Sequence, residues 1–151
     1  QLREEGFADF LLEQLAFSGV HPECLAIEVT ETALIHDPVR SGRELARLSE
    51  AGIGISLDDF GTGYSSLSWL TQFPVTSVKI DKSFTDDIGI DGRKTAIVSA
   101  VIAVSHELGF TVVAEGIESE EQARVLAELG CDRGQGYLYG KPVRIEEPPW
   151  T

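Results

Sequence analysis

Asp58 and Asp59 stand side by side ahead of Phe60-Gly-Thr-Gly-Tyr64. Two adjacent carboxylates opening a glycine-hinged loop can hold a divalent cation, which in turn can hold a phosphate. Ionised neighbours repel each other, so the pair is costly unless cations or hydrogen bonds offset the charge. Taken alone, the segment also fits a turn that caps a helix, where Asp and Gly are common. Further polar groups recur, however, at the ends of other apolar runs: Glu28, Thr30 and Glu31, then Lys79 and Asp81, then Glu115 and Glu118, with Gln135 beside the last run. Lys79 could pair with Asp81 or snorkel, but a lysine inside a ring of carboxylates can also hold a hydroxide or a phosphoryl oxygen. His21, His36 and His106 fall away from these ends and read as surface or satisfied residues, while Tyr64 and Trp69 read as packing or interface aromatics.

The elements that must position these groups alternate between strand and helix along the chain, without a linker or low-complexity tract. Phe7, Phe10, Leu11 and Leu15 define one face of an opening helix that Gly19 and Pro22 end. A first strand covers Leu25 to Val29, and a helix over Arg43 to Glu50 turns Leu45 and Leu48 inward before Gly52. Ile53 to Leu57 is a strand leading into the Asp pair, and Ser65 to Phe73 can form a helix ending at Pro74. Val75 to Ile80 is the third strand, Arg93 to Leu108 a long helix closed by Gly109, and Thr111 to Ala114 the fourth strand. Ser119 and Gln122 form a capping box for a helix through Leu129, with Gly130 as its stop. A last short strand surrounds Gly136 and Tyr137, so residues 1–143 form the domain and 144–151 a tail. Length alone favours an open doubly wound sheet, because a complete barrel needs about 250 residues. Chemistry at every strand end favours a partial (β/α)8 TIM-type barrel of parallel strands, about five of the eight units, since a closed ring aims those ends at one axial point.

The 12 basic and 25 acidic side chains give a formal charge of −13, which argues against a DNA or RNA surface. An anionic ligand would need cations beside it. Cys24 and Cys131 lack metal-type spacing and suit free thiols in a reducing cytoplasm. The most apolar stretch, Ala96 to Val104, is too short to span a membrane, though a parent protein could still be tethered to one. A chain that starts at Gln1 and has no Met is expected to be a piece of a larger protein.

Five segments resemble the EAL-type cyclic di-GMP phosphodiesterases of bacterial signalling: Ile27-Glu-Val-Thr-Glu-Thr32, Asp58-Asp-Phe-Gly-Thr-Gly-Tyr64, Val78-Lys-Ile-Asp81, Val113-Ala-Glu-Gly-Ile-Glu118, and Gln135-Gly-Tyr137 with Lys141-Pro142. Their order and spacing match as well. The resemblance implies a barrel that uses two Mg2+ or Mn2+ ions to open cyclic di-GMP to linear pGpG. It implies metal ligation by Glu28, Asp58 and Asp59, a water held by Lys79, and Glu115 as general base or ligand of the second metal. Gln135, Asp81 and Glu118 would serve the substrate or stand behind the site, and Glu31 with Thr30 would steady the Asp58 loop. It further implies a homodimer through the Asp58–Leu70 loop and helix, and fusion to other signalling domains.

The family's signature Glu, on its first strand, and an Asn ligand on its third would both lie upstream of Gln1. Glu13-Gln-Leu15 imitates the signature only in letters, inside a helix, and the chain contains no Asn. The expectation is therefore an active parent and an inactive fragment. The alternatives are a receptor that binds cyclic di-GMP without cutting it and a half barrel that self-associates through open strand edges.

Overall fold

The structure, a computed structural model, describes residues 2, 6–60 and 70–144. Helix α1 (Phe7–Ser18) begins after Gly6 and ends at Gly19, whose φ of 69° supplies the left-handed turn that closes the helix. No side chain of its own caps α1; Glu44 does so from another helix, its Oε2 accepting from Ala8 N at 2.7 Å. Strand β1 (Ala26–Thr30) follows a short 3-10 turn, Pro22–Cys24. Helices α2 (Glu31–His36) and α3 (Pro38–Glu50) lead to β2 (Gly54–Phe60). Asp37 caps α3, with Pro38 in its first turn, so this helix starts earlier than its apolar pattern predicts. Beyond the gap in description come β3 (Ser77–Ile80), α4 (Lys82–Thr85), α5 (Gly92–Glu107), β4 (Thr111–Ala114), α6 (Glu120–Glu128) and β5 (Arg133–Gly134). The Ser119–Gln122 capping box is formed as expected.

Among the described residues the five strands make one sheet in the order β1-β2-β3-β4-β5, every pair parallel. All carboxyl ends therefore lie along one rim, as strand-end chemistry requires. Register separates the two faces. Ile55, Leu57, Val78, Ile80, Val112 and Ala114 point to the helices and form the apolar core. Their neighbours Glu28, Ser56, Ser77, Lys79 and Val113 line an open concave side.

The sequence places Phe10 on the inward face of α1, but Phe10 is largely exposed while Phe7 and Leu11 are half-buried and Leu15 buried. Glu13, Gln14 and Leu15 do lie within this helix. The last strand sits three residues ahead of its expected centre, because the backbone of Gln135 still bonds Ala114 and Ile117 while the chain already turns at Gly136. Both cysteines are free, and the Cys131 thiol donates to the carbonyl of Arg133 at 3.2 Å. Tyr64, Trp69, most of the Asp58–Leu70 segment and the expected helix over Ser65 to Phe73 as far as Trp69 lie outside the described residues; Leu70 is helical and the chain turns over Thr71 to Phe73, with Phe73 N donating to Leu70 O at 3.0 Å.

Candidate active site

Adjacent residues of a strand point to opposite faces, so Asp58 and Asp59 cannot both serve one site from a regular β2. An irregularity brings their oxygens together. Leu57 pairs with Val78 and Phe60 with Ile80, which leaves one more residue on β2 than on β3 between these pairs. Asp59 takes up the extra length with a φ of 55°, the left-handed conformation that Asp tolerates better than bulky side chains do. Bulges re-aim side chains next to active sites. Here the bulge brings one oxygen each from Asp58, Asp59 and Glu115 within 4.8 Å of one another, and Phe60 returns to the core.

Lys79 is the hub. It projects from β3 between its neighbours, only 5 % exposed, with Nζ 2.6 Å from Glu115 Oε1, 2.7 Å from Glu28 Oε1 and 3.4 Å from Asp58 Oδ1. Burial opposes the charge on Lys79 more than any single partner favours it. The hydrogen bonds to Glu115 and Glu28, with the charges of Glu115 and Asp58, together prevail and hold its pKa above the ordinary lysine value. Lys79 is therefore a permanent donor at neutral pH, suited to holding an oxygen and unsuited to removing a proton. Acids from β1, the β2 bulge and the end of β4 thus meet around one ammonium group.

The cluster is under-compensated. Glu28, Asp58 and Glu115 share one lysine, and the buried Asp58 Oδ1 has no hydrogen bond among the described residues despite its approach to Lys79. A buried carboxylate oxygen without a donor is expensive, and a hard divalent cation would satisfy it. The separation within the Asp58, Asp59 and Glu115 group is close to the roughly 4–5 Å between opposite oxygen ligands of such a cation. The residues present fit the group that the sequence resemblance implies.

The remaining expected residues fall into three positions. Gln135 lines a cleft of about 750 Å3 on the concave face with Glu28, Lys79, Ser56 and Ser77, a size usual for ligand sites. Glu118 lies in an adjoining recess with Glu115 and Gln135, its Oε1 2.5 Å from Lys82 Nζ. Asp81 is taken up locally: its Oδ1 accepts from Ser83 N at 3.0 Å and caps α4. Glu31 is buried at the start of α2, with Oε2 lacking a hydrogen-bond partner among the described residues, and Thr30 precedes it at the helix cap. The loop these two were expected to steady begins at Gly61, outside the described residues. His106 is satisfied by Asp132 at 2.9 Å, at the start of β4 and so at the strand end opposite the cluster.

Sequence reasoning missed Arg133 and Tyr139, which line the large cleft beside Tyr137 and Lys141 of the resembling segments, and Lys141 Nζ stands 5.5 Å from the centre of the Tyr137 ring. Ser56 and Ser77 could have been found by counting back two residues along the strand from Asp58 and Lys79.

With this geometry in place, the comparisons with known proteins are specific. Residues 1–142 match the EAL domain family, and the chain belongs to that family. It is 41 % identical over 147 residues to the bifunctional diguanylate cyclase/cyclic di-GMP phosphodiesterase MucR of Pseudomonas aeruginosa, covering 97 % of this chain and 22 % of MucR. It is 40 % identical over 143 residues to the cyclic di-GMP phosphodiesterase RocR of the same organism, covering 95 % of this chain and 36 % of RocR. The chain thus spans about a fifth to a third of the length of these relatives. Among solved structures, the PaMucR phosphodiesterase in complex with c-di-GMP superposes with a TM-score of 0.90 at 41 % identity, over 96 % of this chain and 59 % of that one. A manganese and cy-diGMP complex of Klebsiella pneumoniae BlrP1 gives 0.85 at 39 % identity, over 92 % and 36 %. The fold is accordingly that of the EAL domains, a TIM-like barrel of which this chain holds the five described strands.

Proposed function

We propose that this chain carries most of the catalytic centre of a metal-dependent cyclic di-GMP phosphodiesterase. The observation that carries the reading is Lys79 bonded to acids from different strands while the β2 bulge gathers Asp58, Asp59 and Glu115. Glu28, Asp58 and Asp59 would hold Mg2+ or Mn2+, with Glu115 as base or further ligand. Such cations lower the pKa of bound water and offset charge on a phosphodiester. A chain with a formal charge of −13 needs that help to accept an anionic dinucleotide.

Hydrolysis consumes one water. Its oxygen bonds to phosphorus, one P–O3′ bond of the ring breaks, and the freed 3′ oxygen takes up a proton, leaving linear pGpG with a 5′ phosphate. Lys79 would hold the entering oxygen by hydrogen-bond donation from its ammonium group. Glu115, hydrogen-bonded to Lys79, would as general base take the proton the water loses. Gln135, on the wall shared by both recesses, and Glu118, in the smaller one, would contact or orient substrate.

The test compares hydrolysis of cyclic di-GMP, with Mg2+ and with Mn2+, between this chain and a form extended upstream by about 100 residues. Turnover only in the extended form, lost in Glu115→Gln, is the expected result. Binding without turnover in the extended form would instead make the protein a receptor. A homodimer through the Asp58–Leu70 segment, fusion to signalling domains and a cytoplasmic site are part of the same proposal. No helix among the described residues is long and apolar enough to cross a membrane, and sedimentation of the extended form tests the dimer.

A further inference from the structure

The short helix α4 grips the segment that carries Glu115. Thr85, fully buried in its last turn, lies with Oγ1 2.5 Å from the carbonyl of Glu115 and 3.0 Å from that of Lys82. A hydroxyl has one proton to donate, and the shorter contact takes it. Glu115 N already donates to Ile80 O at 3.1 Å. Both backbone polar groups of Glu115 are therefore fixed, one by the sheet and one by a side chain.

Gly116, next along, has a φ of 68°, and a Cβ there would lie 2.3 Å from Lys82 Cγ. The stem of Lys82 thus fills the space over Gly116, while its Nζ holds Glu118. Gln122 completes the grip. Its Nε2 donates to the carbonyls of Thr85 and Asp86 at 3.2 and 3.3 Å, and its Oε1 accepts from Glu118 N and Ser119 N at 2.8 and 2.9 Å. At a site with no exposure, valine would fill the same volume, so the hydroxyl is the part of Thr85 that the location uses.

We propose that Thr85 is a positioning residue: by holding the Glu115 carbonyl, α4 sets how closely the Glu115 carboxylate approaches Lys79, Asp58 and Asp59, and so how tightly the site binds a divalent cation. The inference rests on the metal-site reading given above. It concerns a residue outside the cluster, which touches neither substrate nor metal ligands' side chains.

Mn2+ affinity, read from the spin-resonance signal of free Mn2+, tests it in the full-length protein, together with thermal unfolding in the absence of metal. Thr85→Val is expected to weaken Mn2+ binding on the order of tenfold, the usual scale for partners that orient a ligand, and to lower kcat more than it changes KM. Thr85→Ser, which restores the donor, is expected to restore the affinity. A Thr85→Val protein that melts earlier yet binds Mn2+ as the parent does would show a purely structural role and overturn the proposal. If Thr85→Val does not fold, Thr85→Cys keeps the volume with a weaker donor: an intermediate loss of affinity supports the clamp, and undiminished affinity sinks it. Asp58→Asn, at a residue assigned to the metal itself, separates the two levels. Should it leave Mn2+ affinity intact, the metal-site reading itself falls; should it weaken binding while Thr85→Val does not, only the clamp is lost.

Discussion

The two faces of the sheet differ residue by residue. Ile55 and Leu57 have no exposure and meet the helices, whereas Ser56 between them faces the cleft. Val78 and Ile80 are likewise buried in the core, and Lys79 between them joins the acid cluster. Parallel strands covered by helices on both faces read as continuous apolar runs. Alternation in a parallel sheet therefore reports that one face is reserved for something other than a helix layer. In this protein that face is the interior of a barrel, and its polar members concentrate at the carboxyl ends, where Glu28, Asp58, Lys79 and Glu115 meet.

The comparison breaks most sharply at Glu115. In the extended form Glu115→Gln keeps the shape and removes the carboxylate, and on its proposed role as general base turnover should fall by on the order of 10²–10⁴-fold. Urea unfolding of the same variant should stay near the parent value, because the helix-facing core is untouched. The opposite experiment is Ile55→Ala, at a site with no exposure, where truncation costs about 2–5 kcal/mol of stability. The folded fraction of that variant should bind Mn2+ as before. A core truncation that weakens metal binding as much as it destabilises would show that the two faces are not independent.

Much of this division was legible in the sequence. Strand ends and helix stops followed from apolar runs, from Gly19, Gly52, Gly109 and Gly130, and from the Ser119–Gln122 box, all local signals. Glu28, Asp58, Lys79 and Glu115 were legible as one cluster because each falls near the carboxyl end of an expected strand. The bulge was not. Nothing in the Asp58-Asp59 pair says that β2 continues to Phe60 or that Asp59 adopts a positive φ, since this follows from pairing with Ser77–Ile80 across the sheet. Helix α2 was also missed: with six residues and no side-chain cap, it is held by its packing on neighbouring elements and lacks a periodic pattern of useful length. Thr85 escaped because its partner is a main-chain carbonyl, which has no sequence signature.

Gly136 ties the concave wall to the strand-end segment. A Cβ there would lie 2.1 Å from the carbonyl oxygen of Ile117 and 2.2 Å from its nitrogen, and backbone cannot yield as a side chain can. Gly136→Ala should cost about 1–3 kcal/mol, as overpacking does. In the extended form it should also disturb the wall formed by Gln135 and Tyr137, raising KM for cyclic di-GMP more than it lowers the Mn2+ affinity. Thermal unfolding and steady-state kinetics on one preparation separate the two effects.

The smallest effect belongs to the opposite end of the strands. Asp132 Oδ2 accepts from Val112 N at 2.7 Å and lies 2.9 Å from His106 Nε2, tying α5 to the starts of β4 and β5. The bond from Val112, then the one from His106, holds the Asp132 carboxyl below its ordinary value. A carboxyl depressed by folding stabilises the protein above its unfolded pKa, near 3.9, and that contribution is lost as pH falls through the folded value. Asp132→Asn should therefore lower stability at neutral pH by less than about 1 kcal/mol, because the side chain is 40 % exposed and screened. The gap between variant and parent should narrow as the solution is acidified below about pH 4, which denaturant midpoints across pH 3 to 7 would follow. Mn2+ affinity should not change at any of these points, because the strand starts hold the barrel together while the chemistry sits at the other rim; a variant that altered both would show that the two ends are coupled through β4.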